Sequence, residues 1–265
     1  DEKTRSYWLG IGGVCFNIAL TFGSTIAGAL AMISWQTVFF FYWVGFIPLV
    51  IFIIFYKDDS KARGGIEEEK EEEKATWRDV PARAWVLMLC FLLSMLVLGF
   101  FTSFGRSVVG EVGVTPVEFG TFMSVRTVGS LIVAACFGFI YKFLKNYCLS
   151  MGAICILLGF ACFYFTTLSG AANLPIYYVG SFLIGFGMNC LTVGMAMVLS
   201  TYVSPAVVAF LMGMNAVAMN CGTFLSSPTS QIFFAVFGAD TPVVQVFMMG
   251  MILIAAVAIV YFIAV

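Results

Sequence analysis

Long apolar runs alternate with short polar breaks over most of the chain, and one charged block interrupts them. Two runs precede that block, roughly Trp8–Ala31 and Val38–Tyr56, with the short turn Ser34-Trp35-Gln36-Thr37 between them. Six follow it: Ala84–Val108, Glu118–Tyr141, Tyr147–Leu168, Pro175–Leu199, Val207–Phe233 and Val243–Val265. Each run is close to the ~20 helical residues that cross a hydrocarbon core of about 30 Å. None alternates as a strand does, so helices rather than a closed barrel satisfy the backbone in lipid. The pattern predicts an all-α, polytopic membrane protein with eight transmembrane helices, the second bent at Pro48.

The charged block runs from Lys57 to Arg83 and holds Asp58-Asp59, Gly64-Gly65 and the run Glu67-Glu68-Glu69-Lys70-Glu71-Glu72-Glu73-Lys74. It cannot enter hydrocarbon, so it divides the chain into 1–56, a linker 57–83, and 84–265. Lys70 and Lys74 stand four apart among glutamates, which predicts a solvated helix with i,i+4 pairs; a flexible acidic connector is the alternative. Lys3, Arg5, Lys57, Lys61, Arg63, Lys70, Lys74, Arg78, Arg83, Lys142 and Lys145 all fall on the linker's side of the membrane. Of 13 Lys+Arg only Arg106 and Arg126 fall elsewhere. That bias predicts a multi-pass protein of the cell membrane with linker and both chain ends cytoplasmic.

Composition agrees: 62% hydrophobic, 10% charged and a mean hydropathy of +1.03, against about 25% charged in soluble domains. No basic patch survives outside the membrane ends, so nucleic acid is not an expected partner, whereas the lipid bilayer is. No basic-then-apolar leader precedes Trp8, so no signal peptide is expected. The 8 cysteines lie within or at the edge of apolar runs, and Cys148, Cys155 and Cys162 recur every seven residues. They read as small packing residues on one helix face; with His 0 a metal site is not expected. The missing histidine also removes His-based acid–base chemistry. No GxxxxGK[ST] loop is present, so no ATP-driven pump and no cofactor are implied. The chain reads as a non-enzyme.

Arg126 is the sharpest candidate for function. It lies about eight residues into its run, roughly 12 Å deep at 1.5 Å per residue, where a cation is costly unless it meets water, a partner or a solute. No Asp or Glu occurs well inside any run. A guanidinium offers a fork matched to carboxylate or phosphate, so a solute anion would satisfy it. Backbone carbonyls, or an acid elsewhere in the complete protein, are the structural alternative. Asn189 and Thr192 on one run, and Asn215, Asn220 and Thr223 on another, recur at helical spacing and are further substrate-binding candidates, or else hydrogen bonds between helices. Gly222, Ser227 and Pro228 predict a bend or weakened helix suited to a gate.

The first two runs resemble the last two: Asn17…Gly23-Ser24-Thr25…Gly28 pairs with Asn215…Gly222-Thr223…Ser227. Such a repeat falls where a duplicated transporter places it. Two spans, a charged linker containing Trp77-Arg78-Asp79-Val80-Pro81, then six spans resembles the major facilitator superfamily from its fifth helix onward. Gly28-Ala29-Leu30-Ala31-Met32-Ile33-Ser34-Trp35-Gln36 is similar to the end of the fifth helix, and Asn215…Asn220-Cys221-Gly222…Pro228 to the eleventh. Gly138-Phe139-Ile140-Tyr141-Lys142-Phe143-Leu144-Lys145 is similar to its cytoplasmic loop signature without the expected Asp and Arg, and so without the salt bridge built on them.

The resemblance implies a complete C-terminal six-helix bundle with the last two helices of the N-terminal bundle. Four N-terminal helices of the same protein would be the missing partner. It also puts Arg126 on the counterpart of the eighth helix, where several anion carriers of the family, for oxalate and nitrate among others, place a substrate arginine. The expected function is secondary active transport of a small solute, an organic or inorganic anion, by alternating access. The alternatives are a proton-coupled drug or multidrug exporter and, of another class, a non-transporting scaffold or receptor.

Overall fold

The computed structural model describes residues 42–55, 80–202, 205–238 and 242–264, with isolated positions before residue 42. The predicted first span, most of the linker with its Lys70/Lys74 helix, and the first half of the repeat lie outside the described residues. Seven α-helices have bounds here: α1 (Phe46–Phe55), α2 (Ala82–Gly110), α3 (Pro116–Leu144), α4 (Cys148–Leu168), α5 (Leu174–Tyr202), α6 (Pro205–Phe237) and α7 (Gln245–Ala264). The chain forms two compact units, Cys15–Lys74 and a second comprising Asp1–Val14 with Ala75–Val265. Helix α1 belongs to the first and α2–α7 to the second.

The sequence predicts a bend at Pro48. A 3₁₀ segment, Tyr42–Gly45, passes into α-geometry at Phe46, so the change of helix type falls in the turn before Pro48. There the proline ring crowds the Val44 carbonyl and offers it no N–H.

Five helices of the second unit, α2, α3, α4, α5 and α7, are long and apolar enough to cross a membrane. The remaining one, α6, has 33 residues without a charged side chain. Helices α2, α3 and α5 reach 29 residues each, longer than the apolar runs suggest, because they continue past the hydrocarbon until backbone chemistry stops them. Helix α3 opens on Thr115, whose hydroxyl accepts from the Glu118 N–H at 3.3 Å while the Glu118 carboxylate accepts from the Thr115 N–H at 2.8 Å. That reciprocal box, with Pro116 at the first helical position, fixes the helix start. It ends at Lys145, whose φ of 48° is the left-handed value that stops a helix, and a 3₁₀ turn, Lys145–Tyr147, leads into α4.

In the second unit α3 packs on α5, α5 on α4, α4 on α7, α7 on α2, and α2 on α6. The seven-residue period of the cysteines finds its partner across the α4–α5 interface. There Cys148 faces Gly194, Gly152 faces Gly187, and Gly159 and Cys162 face Gly180. A β-carbon on Gly194 would stand 2.7 Å from the Cys148 sulfur, and one on Gly159 2.7 Å from the Gly180 carbonyl oxygen. Small side chains let the two backbones come together, which is how helices associate where lipid supplies no hydrophobic drive.

An aromatic core sits where α2, α3, α4, α5 and α7 meet. Phe101 meets Phe163 edge-on at 5.1 Å, Phe160 lies 4.9 Å from Phe247, and Phe122 lies 5.5 Å from Tyr177. All six rings are inaccessible to solvent. First and last helices of the unit are tied at one end, where Arg83 Nε donates to the Ala264 carbonyl. A cation against the last carbonyls of a helix opposes their partial negative charge.

Candidate functional site

Arg126 is the eleventh residue of α3, about 15 Å from its start at 1.5 Å per residue. It is partly buried, and its guanidinium carbon lies 5.9 Å from the ring centroid of Phe101 on α2. Among the described residues no carboxylate and no hydrogen-bond acceptor pairs with that guanidinium. The ring face gives a cation about 0.5–2 kcal/mol, which falls short of the roughly 2.5–3.5 kcal/mol that an arginine at the centre of a span costs on insertion scales. Among the described residues nothing takes up the guanidinium donors.

Its backbone is held on the other side. A β-carbon on Gly185 of α5 would fall inside the Arg126 carbonyl oxygen, and 2.6 Å from the carbonyl carbon. One turn along, Gly129 meets the Phe182 carbonyl oxygen at 2.5 Å by the same measure. Ser130 Oγ donates to the Gly185 carbonyl at 2.8 Å, and Asn189 Nδ2 donates to the Ser130 carbonyl. Asn189 is 8% exposed. The structure therefore brings Arg126 and Asn189 to one interface, with the Asn189 amide engaged between helices.

The other predicted residues lie elsewhere on the unit. Thr192, on α5, is partly buried, and its hydroxyl returns to the Met188 carbonyl of its own helix at 2.9 Å. On α6, Asn220 Nδ2 donates to the Ala216 carbonyl at 2.8 Å and Thr223 Oγ1 to the Met219 carbonyl at 3.0 Å, both on an exposed face. Asn215 is partly buried, and its side-chain oxygen is buried without a donor among the described residues. Gly222 is buried in a close α2–α6 approach, where a β-carbon would stand 2.7 Å from that of Met95 and overlap the Leu92 carbonyl. Ser227 is exposed, and its carbonyl accepts from Ser230 Oγ at 2.7 Å. Helix α6 runs unbroken through Pro228, which leaves the Phe224 carbonyl without its i+4 donor.

The chain's family is decided by its first two thirds. A family model described as Major Facilitator Superfamily matches residues 1–169. The chain belongs to the Major Facilitator Superfamily. No curated protein and no solved structure matches it. It is therefore a multi-pass membrane transporter of this superfamily, built of helices, whose partners are a small-molecule solute and membrane lipid.

Phe101, Ser130 and Gly185 are contributors that sequence patterns alone do not single out. Phe101 is one of 29 phenylalanines, and nothing local marks it. Gly185 has a signal: α5 carries Gly180, Gly185, Gly187 and Gly194, a density that helical propensity disfavours and that close backbone approach explains.

Proposed function

We propose that this superfamily member is a secondary transporter of a small anion, with the chain corresponding to the fifth to twelfth helices of the fold. Arg126 is its charge-selective contact. The observation that carries the reading is the guanidinium itself. It is seated over Phe101 inside a span, anchored through its backbone, with no acceptor among the described residues. Such a group satisfies its donors on an anion that arrives and leaves, whereas a structural arginine finds a resident partner. Asn215, Asn220 and Thr223 would add hydrogen bonds from α6, and alternating access would close the unit over the solute. The cation bias supports a cytoplasmic linker.

The test is uptake by the complete transporter reconstituted in liposomes, across a panel of oxalate, formate, nitrate and phosphate. Arg126→Gln is expected to abolish uptake of every anion that the unaltered protein carries. Uptake unchanged by that substitution would reject the assignment. The chain of residues 1–265 alone is expected to carry nothing, because the first four helices of the fold would complete the cavity wall.

A further inference from the structure

We infer that Gly185 and Asn189 are positioning residues for Arg126, acting through the backbone of α3 without touching the solute; this rests on Arg126 being the anion contact. Three features converge on one turn of α3. First, α5 has no side chain where it meets the Arg126 peptide: a β-carbon on Gly185 would be 2.6 Å from the Arg126 carbonyl carbon and 3.0 Å from its Cα. Second, Gly129 repeats that approach from the α3 side against Phe182 and Phe186. Third, Ser130 is stapled twice, its hydroxyl to the Gly185 carbonyl at 2.8 Å and its carbonyl to the Asn189 amide.

Ser130 is four residues after Arg126, so its own N–H closes the helical bond to the Arg126 carbonyl. The peptide groups at both ends of that turn are thus fixed by α5. An arginine side chain has several rotatable bonds, and its reach is set by where its Cα is held. Here the backbone is gripped by α5 while the guanidinium lies over Phe101 of α2. Asn189 is buried and its amide already donates across the interface. A solute could use that amide only by breaking the staple.

Any side chain at 185 forces the Arg126 peptide to retreat by about an ångström, and a misplacement of that size can cost a positioned contact up to about a hundredfold. Gly185→Ala and Asn189→Leu are therefore expected to raise the KM for oxalate or nitrate uptake tenfold or more, with the maximal rate per folded transporter held within about twofold. Asn189→Leu keeps roughly the volume and removes the donor without adding a charge beside Arg126. A merely structural role would lower the maximal rate; that result, or an unchanged KM, overturns the inference.

A second measurement separates this inference from the anion reading. In a protein with Cys15, Cys136 and Cys221 replaced by Ser, Arg126→Cys is labelled with a charged methanethiosulfonate, and Lys142→Cys, exposed in the last turn of the same helix, is the internal reference. Gly185→Ala should change the labelling rate at 126 and leave that at 142 unaltered. Equal rates with and without Gly185→Ala would overturn the positioning role even where Arg126→Gln abolishes transport. A changed rate would support it even where Arg126→Gln leaves transport intact and the anion reading fails.

Discussion

The guanidinium of Arg126 lies against the ring face of Phe101, one side chain from α3 and one from α2, with 5.9 Å between guanidinium carbon and ring centroid. Phe101 is also the hub of the aromatic core, within 6.4 Å of Phe119, Phe160, Phe163 and Phe247. One ring therefore serves both the charge and the packing. Phe101→Leu would remove the ring face along with the aromatic contacts, and the two losses separate in a double-mutant cycle with Arg126→Met. The cycle is expected to show a coupling of about 0.5–2 kcal/mol in thermal unfolding of the purified protein. Additive effects would mean that the ring stabilises the core and not the charge.

The α4–α5 interface and the open face of α3 predict opposite outcomes for two glycines. Gly187 has the Gly152 carbonyl and Ile156 against it, so Gly187→Ala must push the α4 and α5 backbones apart. It should destabilise the second unit by about 1–3 kcal/mol, the range for overpacking. Gly120, on α3, has nothing within 4 Å of its added β-carbon. Gly120→Ala should raise stability by about 0.5–1 kcal/mol through helix propensity alone. Melting of both variants in one detergent gives the comparison, and a stabilised Gly187→Ala would show the interface to be looser than its geometry.

Much of the fold is legible in the sequence, and what is not has a physical cause. Apolar runs locate the six helices of 84–265 within a few residues of their observed ends. The seven-residue period of Cys148, Cys155 and Cys162 marks a packing face; the glycines opposite carry the same period in Gly180, Gly187 and Gly194. Helix ends are less readable. Thr115 and Glu118 are spaced as a capping box, yet the apolar run alone starts two residues late. Pairing across helices is not readable at all. That Asn189 spends its amide on Ser130, and that Gly185 meets Arg126, follow from the parallel packing of α3 and α5, which no local pattern encodes.

Lys145 terminates α3 with φ 48° and ψ −124°, a conformation that costs a residue with a β-carbon about 1–3 kcal/mol and glycine little. Lys145→Gly is expected to raise the unfolding temperature by a few degrees despite the added freedom of the unfolded chain. Lys145→Val, β-branched, should lower it. The order Gly above Lys above Val in thermal melting checks the assignment, and the reverse order for Gly and Lys would show that the lysine's charge outweighs the backbone.

Asn215 presents the sharpest separation of stability from function. Among the described residues its side-chain oxygen is buried in the second unit with no donor, a state that costs about 1–3 kcal/mol. Ser181 has a fully buried hydroxyl in the same condition. Removing either polar group should stabilise the protein: Asn215→Leu and Ser181→Ala are each expected to raise the melting temperature. They should diverge in transport. If α6 gives the solute a hydrogen bond through Asn215, the stabilised Asn215→Leu protein binds it at least tenfold more weakly, whereas Ser181→Ala transports as before. That pattern is the trade between stability and activity expected of a polar group retained for use. Two stabilised proteins with unaltered uptake would remove Asn215 from the site and leave Arg126 to select the solute without it.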